Sequence, residues 1–74
     1  MTGRRQSPDF VPSKLTQARE ARSLSIADVA RHLDISRQAV WYWESGTITP
    51  RREAIVKLCK LFGVLPGFWQ KEEK

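Results

Sequence analysis

Seventy-four residues allow one domain, near the lower size limit for a chain that folds without a disulfide or a metal. A single cysteine, Cys59, excludes an intramolecular disulfide and a cysteine-based metal site, and no apolar run reaches membrane-spanning length. Thirteen Lys and Arg against eight Asp and Glu give a net charge of +5, which fits either a polyanionic partner such as nucleic acid or simple solubility.

Residues 1–10 are polar, contain Gly3, Arg4, Arg5 and Pro8, and read as a flexible basic arm. They lack the apolar stretch of a signal peptide, and a cytoplasmic location is the expectation. The helical pattern begins at "VPSKLTQAREARSLS". Pro12 suits a first turn, and Val11, Leu15 and Ala18 share a stripe that also carries Arg19 and Arg22, an odd pair for an inward face. Ser23 marks the end of this helix.

In "SIADVARHLDI", Ser25 and Asp28 have capping-box spacing, and Ile26, Val29, Ala30 and Leu33 form the inward stripe of a second helix. Asp34 falls where that helix stops, and Asp tolerates the left-handed backbone better than most residues. Ser36 caps a third helix from Arg37 to Ser45, with Val40 and Trp43 on one side and Gly46 as its stop. Thr49 and Pro50 read as the cap and first residue of a fourth helix, on which Ile55, Leu58, Cys59 and Phe62 give an i, i+3, i+4, i+7 stripe. "VLPGFW" makes one last turn, and residues 70–74 are a charged tail. The expectation is an all-α domain of four to five helices over residues 11–69.

The second and third helices are joined by a turn too short for an up-and-down bundle, with the small Ala30 close to it, which describes a helix-turn-helix. From Leu15 to Trp69, the order and spacing of "AREARSLS", "ADVARHLDIS", "AVWYWESG", and "P" followed by "IVKLCKLFGV" resemble the Cro and phage-repressor (lambda-repressor-like, XRE) type of helix-turn-helix domain. The resemblance implies a DNA-binding transcriptional regulator, repressor-like, bacterial or phage-encoded, whose third helix lies in the major groove. It places Trp43 inside and Trp41 and Tyr42 outside. Carried over, Arg37, Gln38 and Tyr42 contact bases, while Ser25, Ser36, Thr47, Thr49, Arg51 and Arg52 contact phosphates. Arg19 pairs with Glu44, a structural role. Two departures are Ile26, where the family commonly has a phosphate-clamping glutamine, and Asp34, where it has a turn glycine. The segments "DFVPSKLTQARE" and "VLPGFW" also resemble helix-turn-helix domains that precede a zinc metallopeptidase domain in some prophage regulators.

Trp41 departs from the small or polar residue usual in the family, and two placements fit it: stacked on the DNA backbone, or packed on the second helix near Arg31 and His32. Leu61, Val64, Leu65, Phe68 and Trp69 crowd the C-terminal end, where Leu65, Phe68 and Trp69 are expected to form a homodimer interface, unless Phe68 and Trp69 fold back over the core. A lone histidine, His32, and a lone cysteine without partners give no catalytic or metal-binding constellation. The expectation is a non-enzyme with no cofactor, metal, membrane or small-molecule partner. Double-stranded DNA bound by a dimer at a palindromic operator competes with a second reading: a protein-interaction module, such as an antitoxin or polymerase-binding adaptor, that uses the exposed aromatics.

Overall fold

The structure, a computed structural model, describes residues 10–70. Residues 1–9 of the expected arm and 71–74 of the expected tail lie outside the described residues. Four helices, α1 (Pro12–Ala21), α2 (Ile26–Leu33), α3 (Arg37–Ser45) and α4 (Arg52–Phe62), are followed by a 3₁₀ turn at Pro66–Trp69. Among the described residues the only extended pairing is an isolated antiparallel bridge between Phe10 and Gln70. The fold is all-α, as the helical periodicities require.

All four helices stop at left-handed residues: Ser23, Asp34, Gly46 and Gly63. A residue in that conformation folds the next N–H groups back onto the last carbonyls. After α2, Asp34 N–H donates to the Arg31 carbonyl at 3.2 Å and Ile35 N–H to the Ala30 carbonyl at 3.0 Å. At Gly46, with φ of 83°, a Cβ would meet Pro12 Cγ at 3.6 Å, an ordinary contact. Backbone conformation, not space, therefore requires glycine there. Asp34 bears the same conformation (φ 61°) with a Cβ. The left-handed strain of ~1–2 kcal/mol exceeds glycine's entropic cost of ~0.5–1 kcal/mol. Urea denaturation of Asp34→Gly is therefore expected to show a gain of about 0.5–1 kcal/mol, and a loss would contradict the strain.

The core takes Leu15 from α1, Val29, Ala30 and Leu33 from α2, Val40 and Trp43 from α3, Leu58 and Phe62 from α4, and Trp69 from the last turn. Burial of Ala30 beside the turn lets α2 and α3 approach closely, the requirement for two short helices crossing steeply. Two basic side chains tie helix ends together. Arg22, on the stripe that looked too polar to face inward, donates to the Leu61 and Phe62 carbonyls at 3.1 and 2.9 Å, with its guanidinium 5.7 Å from the Phe62 ring centre. Lys57 Nζ donates to the Leu33 carbonyl at 3.2 Å. Each supplies a cation and a donor to a helix C-terminus that lacks partners of its own.

Three expectations are corrected. The α4 helix begins at Arg52, with Arg51 as N-cap, because its first helical bond runs from Ile55 N–H to the Arg51 carbonyl at 2.9 Å. Pro50 is buried in the connection instead of opening the helix, so Thr49 is not a cap. Trp69 is not interface surface: it is 1% exposed and sits among the rings of Phe10, Phe62 and Phe68 at centroid distances of 6.0, 5.7 and 4.9 Å. The folded unit also extends one residue beyond each expected boundary. Val11 N–H donates to the Trp69 carbonyl at 2.8 Å, and Lys14 Nζ to the Gln70 carbonyl at 2.9 Å, zipping Phe10 and Gln70 together.

Candidate nucleic-acid interface

The direction of α3 is set by residues on either side of it. At its start, Ser36 Oγ accepts the Ala39 N–H at 3.1 Å, satisfying one of the free donors of the first turn. At its end, Glu44 is held by α1. Arg19 Nε donates to Glu44 Oε2 at 2.7 Å, Arg19 Nη2 to Oε1 at 3.1 Å, and Thr16 Oγ1 to Oε1 at 2.9 Å. Arg19 Nη1 also donates to the Leu24 carbonyl at 2.9 Å. The two side chains are only 14% and 9% exposed. The hydrogen bonds Arg19 donates to Glu44 raise the Arg19 pKa against the opposing effect of burial, so the guanidinium keeps its charge there.

Between those anchors, Val40 and Trp43 point into the core and fix which residues face out. Arg37 and Gln38 are exposed, and Tyr42 is half-buried. Trp41 is not packed away on α2: it is 53% exposed, with its ring edge-on to Tyr42 at 5.6 Å and 68°. An open notch between α2 and α3 is lined by Ala27, Ala30, Arg31, Ile35, Ser36, Arg37 and Gln38. The structure thus brings Ser36, Arg37 and Gln38 to one place and adds Arg31 to them. Arg31 was not among the residues expected at the DNA face. Its spacing from Asp28 announces only the ion pair that the structure shows at 3.3 Å, not a place in the notch.

Ser25 and Asp28 complete the expected capping box: Asp28 N–H donates to Ser25 Oγ at 3.0 Å, and Ser25 N–H to Asp28 Oδ2 at 2.8 Å. The box changes what α2 offers a phosphate. It takes up the N–H groups of Ser25 and Asp28, leaving those of Ile26 and Ala27 outside it. Hydrogen bonds from the Ser25 backbone and hydroxyl, and then the Arg31 charge, hold the Asp28 carboxyl below the usual carboxylate range. A negative charge therefore sits at this helix start. Ile26 is half-buried against the core, so it is packing where the family's glutamine would be a clamp.

The remaining expected phosphate contacts fall around the α3–α4 connection. Thr47 Oγ1 shares a 2.9 Å hydrogen bond with Ser45 Oγ, which in turn donates to the Tyr42 carbonyl at 3.1 Å. Thr49 and Arg51 line a second groove with Ile35, Trp43, Ile48 and Lys57, and Arg52 is exposed at the first turn of α4. None of Thr47, Thr49, Arg51 and Arg52 lines the Ser36–Arg37–Gln38 notch. Among the described residues, no group of three or more His, Cys, Asp or Glu is placed to hold a metal, and no helix is long and apolar enough to cross a membrane.

Two short helices joined at a left-handed Asp34, the second capped by Ser36 and turned outward by Val40 and Trp43, constitute a helix-turn-helix. A family model described as "Helix-turn-helix domain" matches residues 13–67, and the chain belongs to that family. The match is compatible with the Cro and phage-repressor type. Among curated proteins, none matches the chain. Membership places the protein among DNA-binding transcription regulators, with DNA as its partner.

Proposed function

We propose that the protein is a repressor-like regulator that binds double-stranded DNA sequence-specifically, with α3 in the major groove, as a homodimer on a palindromic operator. The observation that carries this reading is the pairing of Arg37 and Gln38, exposed at the Ser36-capped start of a helix whose opposite side is anchored in the core. The first residues of a recognition helix are those that reach base edges. Arg37 has the donors to bond guanine O6 and N7 bidentately, and Gln38 the donor and acceptor that match adenine N6 and N7. Tyr42 follows one turn later. Ser25, Ser36, Thr47, Thr49, Arg51 and Arg52 contact the phosphates on either side, the first through the Ile26 and Ala27 N–H groups that the capping box leaves over.

The dimer uses the end of the domain that keeps apolar surface after folding: Leu65 is 79% exposed and Phe68 41%. With a two-fold axis there, the two α3 helices meet half-sites ~34–36 Å apart. The regulator works in the cytoplasm as a binder, without cofactor or catalysis.

Selection of bound sequences from a random duplex pool at physiological salt tests the reading. The expected product is a palindrome with a guanine and an adenine in each half-site. Its affinity should fall steeply with salt as counterions are released, and the complex should sediment with two protein chains. Weak binding to every sequence without enrichment would overturn sequence-specific reading and favour a protein partner. A single chain on the selected duplex would overturn the dimer.

A further inference from the structure

Three tryptophans have three different fates: Trp69 is 1% exposed, Trp43 7% and Trp41 53%. The first two build the core. Trp41 is half out in water on the helix that carries Arg37 and Gln38, and its place on that helix is fixed by its neighbours. With about 100° between successive residues, the side opposite Val40 and Trp43 is centred on Gln38 and Ser45. Trp41 lies about 60° to one side of Gln38 and Tyr42 about 40° to the other. A rotation that brings Arg37 and Gln38 to base edges therefore brings the Trp41 indole with them.

We propose that Trp41 is a specificity-determining residue that reads the C5-methyl group of a thymine in the major groove. This rests on the DNA-reading function proposed above. Space makes the indole a participant. The groove is ~12 Å wide, and a helix with its side chains is ~10–12 Å across, so a helix seated there leaves no empty room for a large ring on its outer side. Chemistry then selects the contact. The base edges in the major groove are donors and acceptors, with one apolar exception, the thymine methyl. An indole face placed against polar edges strips their water without replacing their hydrogen bonds, whereas against a methyl both surfaces are apolar. The position agrees: Trp41 is three residues beyond Gln38 and so its neighbour on the helix surface. The adenine suited to Gln38 is paired with a thymine whose methyl opens into the same groove. Tyr42, edge-on at 5.6 Å, braces the indole and limits the side-chain freedom it loses on binding.

A protein-docking role fits the surroundings less well. Trp41 is flanked by Arg37, Gln38 and Ser45 on its own helix, and the other exposed large apolar residues, Ile48, Val56, Leu65 and Phe68, belong to other elements. Apart from the Tyr42 ring beside it, the indole has no exposed large apolar neighbour on α3, whose outer side is otherwise polar and cationic.

The test replaces each thymine of one selected half-site in turn with deoxyuridine, which removes only the methyl group, and measures Kd for the wild type and for Trp41→Ala. One position is expected at which methyl removal weakens wild-type binding by about fourfold, the worth of burying one methyl-sized group. At that position Trp41→Ala should be indifferent to the methyl. Because the ring is exposed, the variant should melt like the wild type. A flat deoxyuridine series for the wild type, or equal sensitivity in Trp41→Ala, overturns the inference while leaving Arg37 and Gln38 as readers. Failure to select any half-site overturns the DNA-reading function and this inference with it.

Discussion

Glu44→Ala is expected to cost ~3–5 kcal/mol of folding stability, because it strands the Arg19 guanidinium in a site where it is only 14% exposed. Glu44 accepts three hydrogen bonds from α1, two from Arg19 and one from Thr16, and among the described residues the next carboxylate to Arg19 is Glu20 at 4.0 Å. Glu20 is largely exposed and cannot take over the bidentate geometry. A domain of this size has about 5–15 kcal/mol in total, and a small one sits toward the low end, so urea denaturation should find the variant close to unfolding. Most of the cost is the unpaired charge, not the lost attraction. Arg19→Met in the same chain should therefore recover a large part of it. Arg19→Lys in that chain should not, since it keeps a cation without a carboxylate partner in the same largely buried site. A Glu44→Ala variant within 1 kcal/mol of wild type would show that solvent reaches Arg19 freely and that α3 is not fastened through this pair.

Trp69→Ala is expected to destabilise by a similar ~3–5 kcal/mol, through the cavity left when a large buried ring is removed. Trp69 is the keystone of the chain ends. Its ring contacts Phe10, Phe62 and Phe68, and its carbonyl accepts the Val11 N–H, so both termini of the described fold converge on it. Among the described residues its Nε1 has no hydrogen-bond partner, so the indole contributes packing and not a polar contact. Trp69→Phe should accordingly cost much less than the alanine variant. Thermal unfolding followed by circular dichroism separates the two. Near-identical midpoints for wild type and Trp69→Ala would return Trp69 to the surface and to the role of an interface residue.

The contrast between Trp69 and the α2–α3 unit shows what a sequence can reveal. The capping box of Ser25 and Asp28, the left-handed stop at Asp34, the Ser36 cap and the Val40–Trp43 inward pair are all decided within a few residues of themselves, and all could be read directly. Whether Trp69 faces a second chain or its own core depends on Phe10, some sixty residues away, and no local pattern carries that information. The same holds for Arg22 on the α4 carbonyls, whose odd placement was visible while its partners were not, and for Lys57 on the Leu33 carbonyl, which nothing in the sequence marked. The Thr49–Pro50 pair misled for a different reason. A hydroxyl followed by proline is equally suited to a cap and to a buried connection, and packing of Pro50 decides between them. At the candidate site, the family resemblance put Arg37, Gln38 and Tyr42 on the DNA side. The choice between the two placements of Trp41, and the position of Arg31 in the α2–α3 notch, required the assembled helices.

The most direct measurement of the central claim is the affinity of Arg37→Ala, beside the wild type, for three duplexes: the selected operator, that operator with its half-site guanine replaced, and an unrelated sequence of equal length. If α3 reads bases through Arg37, the variant loses about 10–100-fold on the operator, the equivalent of ~1–3 kcal/mol, and no longer distinguishes the guanine from its replacement. Its binding to the unrelated duplex changes little by comparison. An equal loss on all three duplexes would reduce Arg37 to one cation among the thirteen basic residues of the chain, and no loss on any would remove α3 from the groove.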